Sequence, residues 1–417
     1  MNGEKVHAKV TARELARVKK RIGKTWQPSE PIPHLNTQAT RDTIRHFCEG
    51  IGDMNSLYRN PKYAKKTKYG KIIAPPCFLY SVYWPCAQGI TMRGVHSWHS
   101  GNEWEWYSPI FEGDEISFEV TPTDILERPS TQAGRAWQAY DETIYKNQRG
   151  EVIAKAIGWT TLAERDLAGE KGKERHKGIT KARYTPEEIE RIYQDYEREV
   201  IRGATPRYWE DVKEGEELTP VVKGPLSLRD IVCFMMGSGT LYYKAHRYFY
   251  EYQKRHPEVG MIDQTTGVVD IPELVHLEGT RASEIGVPLA YDYGPQRVSW
   301  LGHLMTNWMG DDGFLKKMRV EIRRFNMVGD TTWCKGKVAK KLIENGEHLV
   351  QCEIWGENQR TEVNARGWAI VALPSNLAHG PSEQTREMES SEAAKVNRQV
   401  PKIHRKGRKK WQEKLEL

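Results

Sequence analysis

Moving a proton near neutral pH is work for histidine, whose unperturbed pKa is about 6.5, helped by a carboxylate that orients or shares the proton. Two stretches of this sequence hold such residues in a shared spelling. Asp53 and Asn55 follow a Gly-x-Gly, and Tyr58 stands six residues before Ala64. His276, in Leu274-Val275-His276-Leu277, also stands six residues before an alanine, Ala282. Asp292 comes further on, directly before Tyr293-Gly294 and the start of a long apolar segment that also holds Arg297. Ordinary readings stand beside the chemical ones. Asp53 occupies a place where Asp commonly caps a turn, and Asp292 one where it caps a helix. Tyr58 suits packing, because a tyrosine needs a shift of about three units to do a histidine's work.

Other chemistries find little support. His96 and His99 stand three apart with no third ligand near them, so no metal site is expected. Gly23-Lys24-Thr25 has Val18 where a phosphate loop needs its first glycine, and Gly237-x-Gly239 lacks the third glycine of a dinucleotide fingerprint. The six cysteines form no C-x-x-C pair, the usage of reduced intracellular thiols. No signal-peptide core and no run approaching roughly 18 apolar residues is present, so a cytoplasmic protein without a membrane partner is expected. The net charge of +7 is modest for 417 residues, and much of it lies near the C-terminal end. That distribution weakens a nucleic-acid reading and leaves room for an anionic small molecule.

The elements that position these residues come as a repeat. TRDTIRHFCEGIGD at 40–53 superposes without a gap on SLRDIVCFMMGSGT at 227–240, matching Phe47 with Phe234, Gly50 with Gly237, Gly52 with Gly239 and Asp53 with Thr240. Each copy reads as a short amphipathic helix ending at a glycine turn. Pro109-Ile110-Phe111-Glu112-Gly113-Asp114 answers Asn326-Met327-Val328-Gly329-Asp330, with alternating strand-like residues after each. Next, a hairpin turning at Asn147–Gly150 is set against one turning at Asn345-Gly346, and both halves close on Gly-Trp, at 158–159 and 367–368. The second half is longer by about 29 residues, and the shared spacing to Ala64 and Ala282 places the insertion before His276 and pairs Tyr58 with His276.

The chain divides into five segments. Residues 1–29 form an N-terminal helical extension and 30–165 the first half; 166–205 form a charged linker with a surface helix starting at Thr185-Pro186. Residues 206–375 form the second half, carrying the insertion at 241–271, whose aromatic and basic residues suit either a solvated helix or a wall over a binding pocket. Residues 376–417 are polar, end in a basic run, and are expected to be disordered.

The spelling around Asp53 and around His276–Gly294 resembles the MaoC-like dehydratases and (R)-specific enoyl-CoA hydratases, with both halves covered. The resemblance implies an α+β double hot-dog, each antiparallel sheet wrapped around a central helix, here near 74–84 and 293–309. It implies an Asp and a His that activate one water toward an enoyl or 3-hydroxyacyl thioester of coenzyme A, and a helix-start N–H that receives the enolate oxygen. The sequence departs from the pattern in each half. Tyr58 replaces the family's His in the first, Thr240 its Asp in the second, and the helix starts read Pro76-Cys77 and Tyr293-Gly294.

The expected activity is therefore that of a hydro-lyase, with no permanently bound cofactor and coenzyme A as part of the substrate. The chemistry is placed in the second half, on His276 with Asp292 as the replacement acid and Gly294 as the oxyanion donor. Tyr293, Arg297 and Thr240 line the substrate, while Asp53, Asn55 and Tyr58 are the first half's counterparts. A thioesterase and a non-catalytic acyl-CoA-binding subunit are the alternatives, and a homodimer is left open.

Overall fold

The computed structural model describes residues 10–26, 35–86, 90, 92, 95–130, 134–164, 172–239, 243–257, 260–263 and 266–376. Thr240 and the tail beyond Asn376 lie outside them.

Helix α1 (Ala12–Lys19) precedes α2 (Arg41–Ile51), which starts where the Thr40 side chain accepts from Thr43 N–H and stops at left-handed Gly52, φ 70°. Helix α3 (Pro186–Glu197) is the linker helix, opened by a Thr185/Glu188 capping box. Helix α4 (Leu228–Ser238) repeats α2, with a Ser227/Asp230 box at its start and Gly239 after its end. The two repeats cross each other at the glycines that the alignment paired. A Cβ on Gly50 would lie 2.8 Å from Cys233 O, and one on Gly237 would lie 2.4 Å from His46 O. Phe47 and Phe234 meet beside that crossing, ring centroids 6.5 Å apart.

Nine antiparallel strands make one sheet: β1 (Val95–Trp106), β2 (Ser117–Ser130), β3 (Gly134–Lys146), β4 (Val152–Glu164), β5 (Glu217–Lys223), β6 (Phe314–Ile322), β7 (Thr332–Glu344), β8 (Glu347–Asn358) and β9 (Val363–Ala372). Their order is β2-β3-β4-β1-β6-β9-β8-β7-β5. The two expected sheets are thus joined edge to edge by β1 and β6, which removes an exposed edge from each half.

The register at that joint reveals the symmetry. Asn102 pairs with Val320 and Trp104 with Met318, so the axis relating the halves passes through the Glu103–Arg319 pair, 216 residues apart. The same offset relates Asp114 to Asp330: Asp114 Oδ2 accepts from Phe111 N–H, and Asp330 Oδ2 from Met327 N–H.

That frame corrects two sequence pairings. The first half's Asn147-Gln148-Arg149-Gly150-Glu151 turn corresponds to Asn358-Gln359-Arg360-Thr361-Glu362. In both, the Asn side chain accepts from the N–H two residues on and the Gln reaches the strand-entry aspartate, Asp114 or Asp330. Asn345-Gly346 is instead the β7–β8 turn, with φ of 52° and 78°. Likewise Ile73 pairs with Phe111 as Tyr291 bridges Met327, which sets Pro76, and not Cys77, opposite Gly294.

The central helices are unequal. The long α6 (Gly294–Met309) has every side chain from Pro295 to Met309 buried, whereas the expected helix at 74–84 is only a 3-10 turn, Pro76–Ser81. Two prolines and the aromatic run explain the shorter element, since Pro76 tolerates only the first turn and Pro85 ends the aromatic run. In the insertion, α5 (His246–Arg255) is followed by a small hairpin, Met261–Ile262 with Val269–Asp270.

Candidate functional site

His276 ends a 3-10 turn, Pro272–His276, that leads from the insertion to the core. Its Nδ1 lies 2.8 Å from Tyr291 O. A carbonyl only accepts, so Nδ1 carries the proton and Nε2 keeps its lone pair. Burial pushes this imidazole down to about 4, against a smaller rise from the Tyr291 carbonyl, so it is neutral at pH 7. Tyr293 lies against it, ring centroids 3.8 Å apart, and Trp84 of the first half meets Tyr293 edge-on at 5.2 Å.

Gly294 follows as the first residue of α6, where N–H groups have no carbonyl of their own helix to bond. In the first half that position is Pro76, which has no N–H. Only glycine fits at 294: a Cβ would lie 2.2 Å from His99 Nδ1. His99 is held by Asn102, whose amide donates to Pro85 O and accepts the His99 Nε2 proton at 2.6 Å. This leaves His99 Nδ1 as a buried acceptor facing the first turn of α6, a role that its sequence neighbourhood did not suggest.

Two of the expected second-half residues are engaged elsewhere. Asp292 is clamped by the Arg297 guanidinium and by Asn326, and is not free beside His276. Arg297 is 2% exposed and also donates to Arg324 O and Asn364 O, so it is a core clamp, unavailable to a ligand. A helix-start Asp facing a basic residue on its own helix satisfies itself, which explains why its position was misleading. Another carboxyl stands closer to His276 along the chain. Glu273 is three residues before His276 on the same 3-10 turn, where i and i+3 side chains share a face. Its Oε2 is buried without a partner among the described residues, and burial raises the group to about 8, partly offset by Lys244. The Tyr293 hydroxyl is pushed well up by burial and then by Glu273 and Tyr243, placing all three in one enclosure. Tyr243 belongs to the insertion and donates to Glu273 O, so the insertion covers this site.

The first half builds a different arrangement. Tyr58, Tyr69, Ala74, Pro76, Trp106 and Phe314 line an apolar cleft, and burial keeps the Tyr58 hydroxyl protonated. Asn55 is spent on the loop, accepting from Leu57 N–H. Asp53 is 1% exposed and accepts from Asn55 N–H, and its Oδ1 lies 3.7 Å from Nε2 of His303, on α6 of the other half. His303 Nδ1 meets Lys223 Nζ at 2.9 Å, and Lys223 also donates to Ile51 O. Burial raises Asp53 to about 6 and lowers both Lys223 and His303. His303 and Lys223 were not singled out from the sequence, because their contacts with Asp53 and Ile51 join residues of different halves.

Known proteins share parts of this architecture. Residues 29–156 match the model of the FAS1-like, dehydratase domain region. A UPF0336 protein of Streptomyces avermitilis is 26% identical over 145 residues, 33% of this chain and 88% of that one. Another, from Thermobifida fusca, is 29% identical over 110 residues, 25% of this chain and 69% of that one. Among solved structures, one described as a MaoC-like dehydratase superposes with a TM-score of 0.60 at 17% identity, over 86% of this chain and all of its own (100%). A conserved hypothetical protein of Mycobacterium tuberculosis, described as having a double hotdog fold, superposes with a TM-score of 0.50 at 9% identity, over 84% of this chain and 96% of its own. The chain has the double hot-dog fold, and residues 29–156 are similar to the dehydratase domain region.

In this double hot dog the two seams have diverged by residue type. The second-half seam holds a neutral histidine and a helix-start N–H; the first has a tyrosine and a proline in those places. Among the described residues, no group of His, Cys, Asp and Glu is arranged to hold a metal, and no helix is long and apolar enough to cross a membrane.

Proposed function

We propose that the chain adds water across, or removes it from, the α–β bond of an enoyl or 3-hydroxyacyl thioester of coenzyme A, at the second-half seam. The observation that carries this reading is the His276 tautomer. Its Nδ1–H is committed to Tyr291 O, so Nε2 is an unprotonated base beside a helix start. In the hydration direction Nε2 takes a proton from water as its oxygen bonds to the β-carbon. The alkene electron pair moves toward the α-carbon and thioester oxygen, which the Gly294 N–H receives, and the α-carbon then takes a proton. Glu273, protonated at neutral pH, is the group suited to give that proton.

A specific observation favours one rival location, the Asp53–His303 approach in the first half. The experiment that separates them is turnover of an enoyl-CoA panel by His276→Ala, Glu273→Gln and Asp53→Asn. His276→Ala is expected to lose roughly a hundred- to ten-thousand-fold, with thioester binding kept. Loss in Asp53→Asn with His276→Ala tolerated moves the chemistry to the first half. Thioester binding without turnover of any enoyl, 3-hydroxyacyl or saturated substrate makes the protein a non-catalytic binder, and release of free acid makes it a thioesterase.

A further inference from the structure

The symmetry frame sets Arg323 and Arg324 opposite Tyr107 and Ser108. Ser108 lines the first-half cleft, so Arg323 and Arg324 stand at the corresponding rim of the second. There they line a groove with Arg366 of β9 and Arg175 of the linker segment. Arg323, Arg324 and Arg366 are exposed, and Glu321 and Glu362 contact them. Four guanidiniums against two carboxylates leave an excess of positive charge. Arg175 is lowered by burial and then by Arg324, so two like charges are held near each other. The groove's rim packs directly on the residues that hold His276. Phe325 follows Arg324, its ring lies 4.8 Å from that of Tyr291, and the Tyr291 carbonyl holds His276.

We propose that the groove of Arg175, Arg323, Arg324 and Arg366 binds the phosphates of the adenosine bisphosphate portion of coenzyme A, whose thioester then reaches His276. The inference rests on the thioester reading above. Planar guanidiniums suit phosphate because they donate two parallel hydrogen bonds, and several phosphates on one small molecule match several arginines in one groove. A carrier protein delivers the same arm with a single phosphate, leaving most of these arginines to protein contacts. The first-half cleft mouth has Tyr107 and Ser108 at the corresponding positions, with Lys68 over the Tyr69 ring and Lys71 over the Phe111 ring, and no guanidinium among its lining residues.

The test uses binding of 3′,5′-adenosine bisphosphate and free coenzyme A to the full chain by calorimetry, which does not depend on turnover. Arg323→Ala/Arg366→Ala alters exposed side chains only, and Lys340→Ala on β7 is the remote control. The double variant is expected to weaken both ligands tenfold or more, and to raise KM for acyl-CoA while leaving acyl-pantetheine unchanged; Lys340→Ala is expected to alter neither. Failure of the wild type to bind 3′,5′-adenosine bisphosphate, or equal binding by the double variant, overturns the groove assignment even where turnover at His276 stands. Bisphosphate binding that the double variant loses, in a protein that turns over no thioester, keeps the groove and overturns the chemistry. Loss of turnover with a carrier-bound thioester alone, coenzyme A binding being unchanged, assigns the groove to a carrier and overturns the proposal.

Discussion

At the scale of single residues, burial decides what each group can do. His276 is pushed down to about 4 and Glu273 up to about 8, so at neutral pH the first is an unprotonated base and the second a protonated acid. The rate at low substrate should therefore be flat from about pH 5 to 7 and fall on the alkaline side. An acid limb near the ordinary histidine pKa of about 6.5 contradicts the role of His276. Glu273→Gln should remove the alkaline limb along with most of the rate, whereas a purely structural Glu273 leaves the profile's shape unchanged. Asp53 gives a stability prediction of the same kind. Its folded pKa of about 6 is above its unfolded value of about 3.8, so folding favours the protonated form. That contribution is complete below about pH 4 and is lost as pH rises through about 6. Asp53→Asn should thus gain stability relative to the wild type between those values, by about 1–3 kcal/mol at neutral pH. A melting-temperature difference that does not change across that window overturns this. The sequence exposed Asp53 and His276 because both sit in spelled motifs. It hid Glu273, which aligns with Asn55, and it made Asp292 attractive because chain proximity does not reveal that Arg297 had already claimed it.

At the scale of elements, the turns that fasten the two sheets are the clearest products of the repeat. Asp330 Oδ2 accepts from Met327 N–H, and the same carboxylate takes Gln359 and both ends of the Arg360 guanidinium. Asp114 has the backbone bond and the Gln148 bond alone among those counterparts. Asp330→Ala should therefore cost more stability than Asp114→Ala, roughly 2–3 against 1–2 kcal/mol, with Arg360's partial exposure reducing the difference. Turnover per folded molecule should be kept in both, and denaturant titration beside active-site-normalised rates checks the ranking. The aspartates were legible because Gly-Asp recurs before each strand. The turn at Asn147–Gly150 was legible, but its counterpart at Asn358-Gln359-Arg360 was overlooked, because Asn345-Gly346 is the stronger hairpin signal and drew the alignment one hairpin out of step. Helix lengths were harder still. The apolar stretch at 74–84 resembles the one at 293–309, and only the prolines at 75, 76 and 85 mark it as a short turn.

At the scale of the whole molecule, the sequence showed two halves but not that they share one sheet, since strand pairing between distant segments leaves no local signal. The joint has its own specificity. On the axis, Glu103 meets Arg319 at 2.8 Å, and the guanidinium also lies over the Trp159 ring, 4.7 Å from its centroid. Two copies of one half, joined by the same rule, would put Arg319 opposite Arg319 or Glu103 opposite Glu103. Neighbouring pairs do not discriminate in this way, because Lys317 faces Glu105 here and would face Glu321 in a doubled second half. The axial pair is thus where the sequence can favour the mixed joint over either doubled one. Residues 10–185 and 186–376 expressed together should form a one-to-one complex, while each alone should expose an unpaired β1 or β6 edge and self-associate weakly or precipitate. Within the intact chain, Glu103→Arg should lower stability by roughly 0.5–1 kcal/mol, since the pair is partly exposed. Adding Arg319→Glu should restore part of that loss, but not the stacking on Trp159. A double variant no more stable than the worse single variant, measured by chemical denaturation, would show that the axial charges do not set the pairing of the halves.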